Sequence, residues 1–352
     1  MNVYQIFADD ALSFDFVTIS ELSEQDPRIL LKECVGRGGY VLQERLLLPK
    51  PLAAGAQRFS VFDLEPEKCN APLILLSDAG LPPQYSAFLV RPHDSRVKVN
   101  KRADSIKVES DGLNLFFSAP LSSREDRTTS SFTKAFDELS RALRGQAMIE
   151  ANIARTWLYL DDILSDYGML NEAREAFFAK WHHPEEHMIP ASTGIEGHAR
   201  AGEPLILQAC AFFGERLSIR QQASPLQDEA TRYGKLFSRC VVVELPRHRL
   251  VYISGTASID RTGASVHQGD FDRQMVFTLD VLLAILRETG GDFSHVGQAA
   301  VYLKRGKDLE KSRKILNEAM FPTQRALFHL DTPVCRDDLL CEIELTAAIP
   351  NR

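Results

Sequence analysis

Two glutamates near the C-terminus have the types and spacing of a paired acid site. Glu342 and Glu344 are two residues apart in the apolar segment LLCEIELTAA, so on a strand they point to one face and Ile343 to the other. Burial of a carboxyl group raises its pKa and lets it donate a proton near neutral pH. The same spacing also fits an antiparallel strand whose two glutamates face solvent, and the sequence leaves both interpretations open.

An arginine precedes this pair at a distance that allows both to reach one site. Arg325 is separated from Glu342 by a predicted strand and a turn. A guanidinium group can hold a carboxylate with two parallel hydrogen bonds. We therefore predict that Arg325 binds an anionic molecule beside the proton donor.

The polar segment over residues 181–205 contains two further candidates. PASTG, at 190–194, combines small hydroxyl groups with exposed backbone N–H groups, which suits an anion, although a plain linker has a similar composition. His182, His183 and His187 have residue types found in metal sites. Pro184 prevents a regular helix from placing them on one face, so we predict no metal site.

The composition limits the classes of function. The chain has 352 residues, a formal net charge of −7 and 44% hydrophobic residues, which is typical of a soluble globular protein. The negative charge argues against nucleic acid, and no apolar run approaches the ~20 residues needed to span a membrane. The N-terminus lacks the pattern of a secretion signal, and six scattered cysteines without a CxxC motif indicate reduced thiols. We predict a cytoplasmic protein that binds neither nucleic acid nor membrane.

The elements that must position these residues occur in one order twice. After an irregular, β-rich start, a hairpin at Asp111-Gly112 leads to a helix capped by Ser130 or Ser131, a strand and a second helix. Later, strands around a proline turn lead to a helix opened by Asp270, a strand, a helix and the closing strand.

The strand segments WLYL and AVYL occupy the same place in these two passages, about 143 residues apart. This favours an internal duplication over two unrelated halves. The predicted class is α+β, with mixed β-sheets and helices packed on one face. We place the boundary between residues 1–195 and 196–352.

The C-terminal 100 residues resemble the RidA/YjgF family of small imine deaminases. The shared features are the ISG turn, a helix bearing a glutamine, the VYL strand, an arginine after a proline and the closing EIE strand. The resemblance implies two RidA/YjgF-like (chorismate-mutase-like) halves, of which the first is degenerate and the second catalytic. It also implies that Arg325 binds a substrate carboxylate and that Glu342 positions a water.

Roughly residues 95–350 resemble the chorismatases more specifically. The motifs are Arg155-Thr156-Trp157 with Tyr159, YGMLNEAREAFF, PASTGIEG, SPLQ…YGKLFSR, ISGTAS, and Cys335-Arg336 seven residues before Glu342. The resemblance implies that the chain cleaves chorismate and releases pyruvate, with Glu342 as the acid and no metal or nucleotide cofactor.

The resemblance gives two conflicting indications of the product. Family members with a cysteine at the position of Cys335 form 3-hydroxybenzoate, in some relatives together with 4-hydroxybenzoate. An alanine near the ISGTAS turn, here Ala257 with Gly255 close by, is associated with the dihydroxycyclohexadiene carboxylate. We follow Cys335, because a thiol can take part in proton transfer. A diol-forming hydrolase, a RidA-type deaminase and a non-enzymatic carboxylate-binding protein remain the alternatives.

A dianion such as chorismate needs two cationic groups, and Arg155 is the natural partner of Arg325. Arg155 shares a strand face with Trp157 and Tyr159, which fits a desolvated carboxylate site, although an aromatic core with one arginine fits as well. Arg174 is a weaker candidate, because a surface helix charge explains it more simply.

Three other side chains could complete the site. Ser192 and Thr193 could hydrogen-bond the second carboxylate or the ring hydroxyl, and Phe212 could wall the ring. We also expect a monomer rather than the trimer of small RidA proteins, because the duplication can replace contacts between subunits.

Overall fold

A computed structural model describes residues 1–30, 32, 35, 38–50, 60–62, 64–77, 81–123, 127–180, 188–199 and 203–351. Its helices are α1 (Asp26–Leu30), α2 (Thr129–Gly145), α3 (Ile163–Ala179), α4 (Phe271–Glu288) and α5 (Leu309–Glu318).

The strands fall into three groups along the chain. The first group comprises β1 (Asn2–Phe7), β2 (Leu12–Ile19), β3 (Tyr40–Pro49), β4 (Leu73–Ser77) and β5 (Gln84–Pro92). The second comprises β6 (Lys98–Lys101), β7 (Ser105–Ser110), β8 (Leu113–Ser118), β9 (Leu121–Ser122), β10 (Ile153–Leu160), β11 (Ala191–Glu196), β12 (His198–Ala199) and β13 (Leu205–Phe213). The third comprises β14 (Ser218–Gln221), β15 (Cys240–Glu244), β16 (His248–Thr256), β17 (Val296–Leu303), β18 (Ala326–Leu330) and β19 (Cys341–Pro350).

The strands form three mixed sheets, and five strands of each share one topology: β1-β2-β5-β3-β4, β7-β8-β13-β10-β11 and β15-β16-β19-β17-β18. A sixth strand extends each sheet: β12 beside β4 in the first, β6 beside β7 in the second and β14 beside β15 in the third. In each sheet the equivalent pairs are antiparallel except β3-β4, β10-β11 and β17-β18, which are parallel. The predicted α+β class is confirmed, and the first part of the chain proves to be a third, regular sheet with the same strand order.

The duplication predicted from WLYL and AVYL corresponds to β10 and β17, which hold equivalent places in the second and third sheets. Helices α2 and α3 pack against the second sheet, and α4 and α5 pack against the third. The predicted boundary at 195/196 does not follow the sheets, because β11 and β13 both pair with β10. The sheets divide instead near residues 95 and 215.

The three sheets share one apolar core. It contains aromatic side chains from each of them, including Phe16, Phe88, Phe117, Trp157 and Tyr252. Alternating strand residues direct one face of each sheet to this centre and leave the other for the helices. The sites between sheets are therefore formed by residues far apart in sequence.

Local signals match the sequence predictions with one exception. Asp111 and Gly112 form the turn between β7 and β8 with positive φ angles of 26° and 77°. Asp270 caps α4 by accepting from the backbone N–H of Arg273. The cap of α2 is Thr128 rather than Ser130 or Ser131, because the Thr128 side chain accepts from the backbone N–H of Ser131.

Within the described residues, no helix is long and apolar enough to cross a lipid bilayer. The five described cysteines are unpaired. The monomeric state stays a prediction, to which the third sheet adds support: one chain holds three equivalent sheets around its core.

Candidate active site

Glu342 lies on β19 in the interior of the protein, where it is 5% exposed. It pairs with Tyr302 of the neighbouring strand β17. On the other side, the register of β16 shifts between Ile253 and Thr256, and the resulting bulge brings Gly255 against the carboxyl group. A Cβ atom on Gly255 would lie 2.0 Å from Oε1 of Glu342, so only glycine leaves room for this side chain.

The carboxyl group faces a cleft between the second and third sheets. Its rim contains four cationic side chains, Arg174, Lys235, Arg239 and Arg336. The other lining residues are aromatic or small: Tyr167, Ser192, Gly194, Tyr233, Phe237, Gly255, Ala257, Ile259 and Cys335. A cleft with four cations and one carboxyl group is suited to a small molecule carrying more than one negative charge.

Backbone and hydroxyl contacts join the two sheets at the cleft. The Ser192 N–H donates to Oγ of Ser254 at 2.8 Å, and the Gly255 N–H donates to Oγ1 of Thr193 at 2.9 Å. PASTG is thus mainly the strand β11, parallel to β10, rather than an open loop. Ser192 lines the cleft as predicted, whereas Thr193 supports its floor.

Burial makes Glu342 an unusually weak acid. Desolvation, with a further contribution from the negative charge of Glu344, raises the pKa of Glu342 to about 8, against the opposing effects of Arg155 and Arg239. The carboxyl group is therefore protonated at neutral pH inside a cleft rich in cations. This is the protonation state that a general acid requires.

Glu344 has the opposite charge state although it is on the same face. Its Oε1 accepts from Nη1 of Arg45 at 3.0 Å and its Oε2 accepts from Nη2 of Arg155 at 2.5 Å. Burial alone would raise the pKa of Glu344, but the two guanidinium groups outweigh it and hold the pKa below its usual value. The shared face predicted for Glu342 and Glu344 is present, and both side chains are buried rather than solvent-facing.

Tyr167 lines the cleft together with Cys335 and Arg174, and its phenol interacts electrostatically with both. Burial, followed by the charge of Glu342, raises the pKa of the Cys335 thiol to about 12, so the thiol stays protonated at neutral pH. Cys335 is thus suited to hydrogen bonding with a substrate and not to acting as a thiolate.

Arg174 is buried, 3% exposed, which excludes the interpretation of it as a surface helix charge. Its guanidinium carbon lies 5.7 Å from the ring of Phe237, and its Nη2 donates to Oδ1 of Asn171 at 2.6 Å. The Nε atom has no hydrogen-bond partner among the residues that the structure describes. Arg174 therefore keeps a donor available on the cleft wall.

The segment YGKLFSR provides the cleft residues that sequence reasoning missed. Tyr233, Lys235, Phe237 and Arg239 are each two residues apart and line the cleft together. Arg239 donates through Nε to the Asp228 carbonyl at 3.1 Å, so its position is fixed. The alternation of aromatic and basic residues could have identified this wall, because an extended segment directs every second side chain to one side.

Arg325 does not enter the cleft. Its Nη1 donates to the carbonyls of Ser294 and Val296, and its guanidinium lies 4.2 Å from the ring of Tyr4. Val296 pairs with Ala347, five residues beyond Glu342 on β19, which is on the order of 15 Å along a strand. The prediction that Arg325 clamps a substrate carboxylate beside Glu342 does not fit this position.

Arg155, Trp157 and Tyr159 share a buried face of β10, as predicted, but they lie behind the cleft. Arg155 is held by Glu344 and Thr193, and the Trp157 ring lies 5.2 Å from its guanidinium carbon. Phe212 packs in the shared core, 6.0 Å from Tyr252, and does not wall the cleft. Phe212 belongs to the inner face of its sheet, which explains the difference.

The remaining predictions concern Ala257 and the histidines. Ala257 lines the cleft, as does Gly255, so both candidate product markers are near Glu342. His182, His183 and His187 lie outside the described residues. Within the described ranges, no group of three or more potential metal ligands converges.

Comparison with known proteins agrees with this architecture. The family model described as Endoribonuclease L-PSP matches residues 235–349, which hold most of the third sheet. The crystal structure of a chorismatase, 19% identical, superposes with a TM-score of 0.68 over 96% of this chain and 99% of its own. The chain therefore has the fold of that chorismatase.

A curated relative is also similar in sequence. The 3-hydroxybenzoate synthase of Streptomyces hygroscopicus is 28% identical over 219 residues, which cover 55% of this chain and 63% of the synthase. The match thus spans less than two thirds of that relative. The resemblance to the chorismatases predicted from the sequence motifs is confirmed by both comparisons.

The protonated state of Glu342 should appear in the pH dependence of stability. Its folded-state pKa is raised to about 8, so the folded protein binds this proton more tightly than the unfolded chain. The free energy of unfolding should therefore fall as pH rises from about 5 to about 8, by at most about 1.4 kcal/mol per pH unit from this group. Urea unfolding should show the wild type losing stability relative to Glu342→Gln as pH rises across this range, because the glutamine side chain does not ionise. A constant difference would contradict a buried, protonated Glu342.

Proposed function

We propose that this chain converts chorismate with release of pyruvate, using Glu342 as the general acid. The observation that supports this most strongly is a buried carboxyl group, pKa about 8, in a cleft with four cationic side chains. Chorismate carries two carboxylates and an enol ether, so its cleavage needs a cationic pocket and one proton donor. The named relatives, a chorismatase and a 3-hydroxybenzoate synthase, support the same substrate.

The cationic side chains divide into two groups that suit the two carboxylates. Arg174 and Lys235 lie beside Tyr167, and Lys235 Nζ is 5.0 Å from its ring. Arg239 lies beside Tyr233, with its guanidinium carbon 5.5 Å from the ring, and Arg336 comes from the segment before β19, where donation to the Gly263 carbonyl at 2.6 Å fixes it. We assign one carboxylate to each group, since charge-assisted hydrogen bonds from fixed donors orient a rigid ring.

The reaction begins when Glu342 transfers its proton to the terminal methylene carbon of the enolpyruvyl group. The side chain becomes an oxocarbenium ion, and Glu342 becomes a carboxylate. The neighbouring ring hydroxyl then attacks the ring carbon that bears the ether. The carbon–oxygen bond breaks, pyruvate leaves with that electron pair, and the hydroxyl proton returns to Glu342.

The resulting arene oxide opens and loses a ring proton to give 3-hydroxybenzoate, in which case no water is consumed. Cys335 and Tyr167 both line the cleft, and we assign this aromatisation to them. 4-Hydroxybenzoate forms alongside it when the other carbon–oxygen bond of the oxide breaks.

A hydrolase that gives the dihydroxycyclohexadiene carboxylate is the second candidate, and Ala257 in the cleft favours it. There, water captures the oxocarbenium ion and pyruvate leaves without forming an oxide. Both routes use the same acid and release pyruvate. An imine deaminase would instead release ammonia and would have little use for four cationic side chains.

Purified protein, dialysed against a chelator, should release pyruvate from chorismate, measured by coupled NADH oxidation with lactate dehydrogenase. Glu342→Gln should lower kcat by about 10²–10⁴-fold, because it removes the proton donor. Glu288→Gln, an exposed glutamate on α4, is the matched control and should match the wild type. Absence of pyruvate from the wild type, or full activity of Glu342→Gln, would refute the proposal.

Substitutions of single arginines should distinguish the arginines that line the cleft from Arg325, which lies outside it. Arg174→Met and Arg239→Met should each raise KM for chorismate about tenfold or more, the loss expected for one charge-assisted hydrogen bond. Arg325→Met should leave KM within about twofold of the wild-type value, because Arg325 contacts the Val296 carbonyl and not the cleft. The reverse pattern in steady-state kinetics would return the substrate clamp to Arg325.

Replacing Cys335 should change the product more than the rate of chorismate consumption. Cys335→Ala removes the thiol that lines the cleft with Tyr167, so the fraction of hydroxybenzoate should fall and that of the diol should rise. Liquid chromatography of the products gives the ratio directly, with Cys69→Ala, a buried thiol in the core of the first sheet, as the control. An unchanged product ratio would limit Cys335 to packing.

A further inference from the structure

A buried ion cluster lies directly behind Glu342, and its outermost member comes from the first sheet. Glu344 is held between Arg45 of β3 and Arg155 of β10, at 3.0 Å and 2.5 Å. All three residues are more than nine-tenths buried. The Trp157 ring lies 4.7 Å and 5.2 Å from the two guanidinium carbons, and so keeps water from both. Three sheets thus meet at one carboxylate.

This ion cluster, Arg45–Glu344–Arg155, has a formal charge of +1. The titratable side chains packed against it are neutral near pH 7: burial lowers the pKa of His329 to about 4 and raises that of Tyr159 to about 12. Burial also raises the pKa of Tyr302 well above its usual value. In a medium of low polarity the charge of the cluster is not screened by water.

A short path connects the ion cluster to the acid. Oγ1 of Thr193 accepts a hydrogen bond from Arg155 and a second one from the Gly255 N–H. Gly255 in turn touches the Glu342 carboxyl group. When Glu342 gives up its proton, its new negative charge faces a cluster of charge +1, and together the four ionised groups are neutral.

We propose that Arg45 is a positioning residue for the acid step, which controls how readily Glu342 releases its proton by setting the charge of the ion cluster. The proposal rests on the function proposed above and gives the first sheet a part in it. Arg45 touches neither the cleft nor Glu342, and acts through Glu344 and Arg155.

Several other charged or titratable groups face Glu342 from the elements packed against it. They are Cys341 on its own strand, Tyr302 on β17, Tyr167 and Arg174 on α3, Arg239 before β15, and Tyr233, Lys235, Cys335 and Arg336 in the connecting segments. None of these side chains is itself replaced in the variants of the ion cluster. Shifts that follow the charge of the cluster can therefore be assigned to it.

The test compares four variants by the pH dependence of kcat/KM for chorismate. Arg45→Gln lowers the charge of the cluster to zero. The alkaline limb of the profile, on which kcat/KM falls with rising pH, should therefore move to a pH higher by about half to one unit. Glu344→Gln raises the charge to +2, so the limb should move down by a similar amount. Arg45→Gln/Glu344→Gln restores +1 and should return the limb close to wild type, and Arg45→Lys should leave it in place.

A purely structural role would lower stability and activity without these opposite shifts. Shifts in one direction, no shift, or a double variant that does not return would overturn the proposal. If Arg45→Gln does not fold, as judged by near-UV circular dichroism, Glu344→Gln and the double variant give the same test. Removing Arg45's charge from the Glu344→Gln background should still move the limb upward.

A direct titration separates this proposal from the proposed function. The infrared carbonyl band of the protonated Glu342 carboxyl group, isolated by subtracting the spectrum of Glu342→Gln, reports its ionisation without any substrate. The pH midpoint of this ionisation should shift across the variants in the same order as the pH profile of kcat/KM. Normal activity in Glu342→Gln would refute the function, whereas an unchanged midpoint in Arg45→Gln would refute only the role of Arg45.

Discussion

The arrangement of the cleft depends on keeping one carboxyl group out of water beside a second that is ionised. Glu342 and Glu344 are two residues apart on one strand face, yet their pKa values are displaced in opposite directions. Glu344 is ionised because two arginines hold it, and its charge adds to the effect of burial in keeping Glu342 protonated. The difference between the two carboxyl groups comes from their neighbours and not from their position on the strand.

Only one of three equivalent strand positions holds an acid. Glu342 faces Tyr302 on β17, and the corresponding residues are Ile206, which faces Tyr159 on β10, and Gln84, which faces Leu47 on β3. Gln84 donates to the Phe328 carbonyl and accepts from its N–H, both at 2.9 Å, so it fastens the first sheet to β18. The equivalent positions thus contribute to assembly, and only the third sheet has a carboxyl group there.

The sequence predicted much of the second and third sheets because their signals are local. The Asp111-Gly112 turn, the cap at Asp270 and the apolar periodicity of α2 and α4 each depend on residues within one or two turns. The first sheet is harder to recognise, because the residues described there include one short helix, α1, and not the two long helices that mark the other units. Glu342, Cys335, Ala257 and Ser192, which the motifs predict to lie in one site, all line the cleft, and their roles stay predictions.

The sequence by itself determined the strand face shared by Glu342 and Glu344, the helix cap at Asp270 and the repeat of 143 residues, since these follow from periodicity and capping, and its motifs point to Glu342 as the proposed acid. Tertiary structure decided which cations surround Glu342. Arg325 satisfies its donors on backbone carbonyls, whereas Arg174 comes into the cleft from α3 and Arg239 from the segment before β15, and Arg45 reaches the ion cluster from the first sheet. No local pattern contains this information, because the electrostatic environment of a buried carboxyl group is set by side chains up to 299 residues away in the chain.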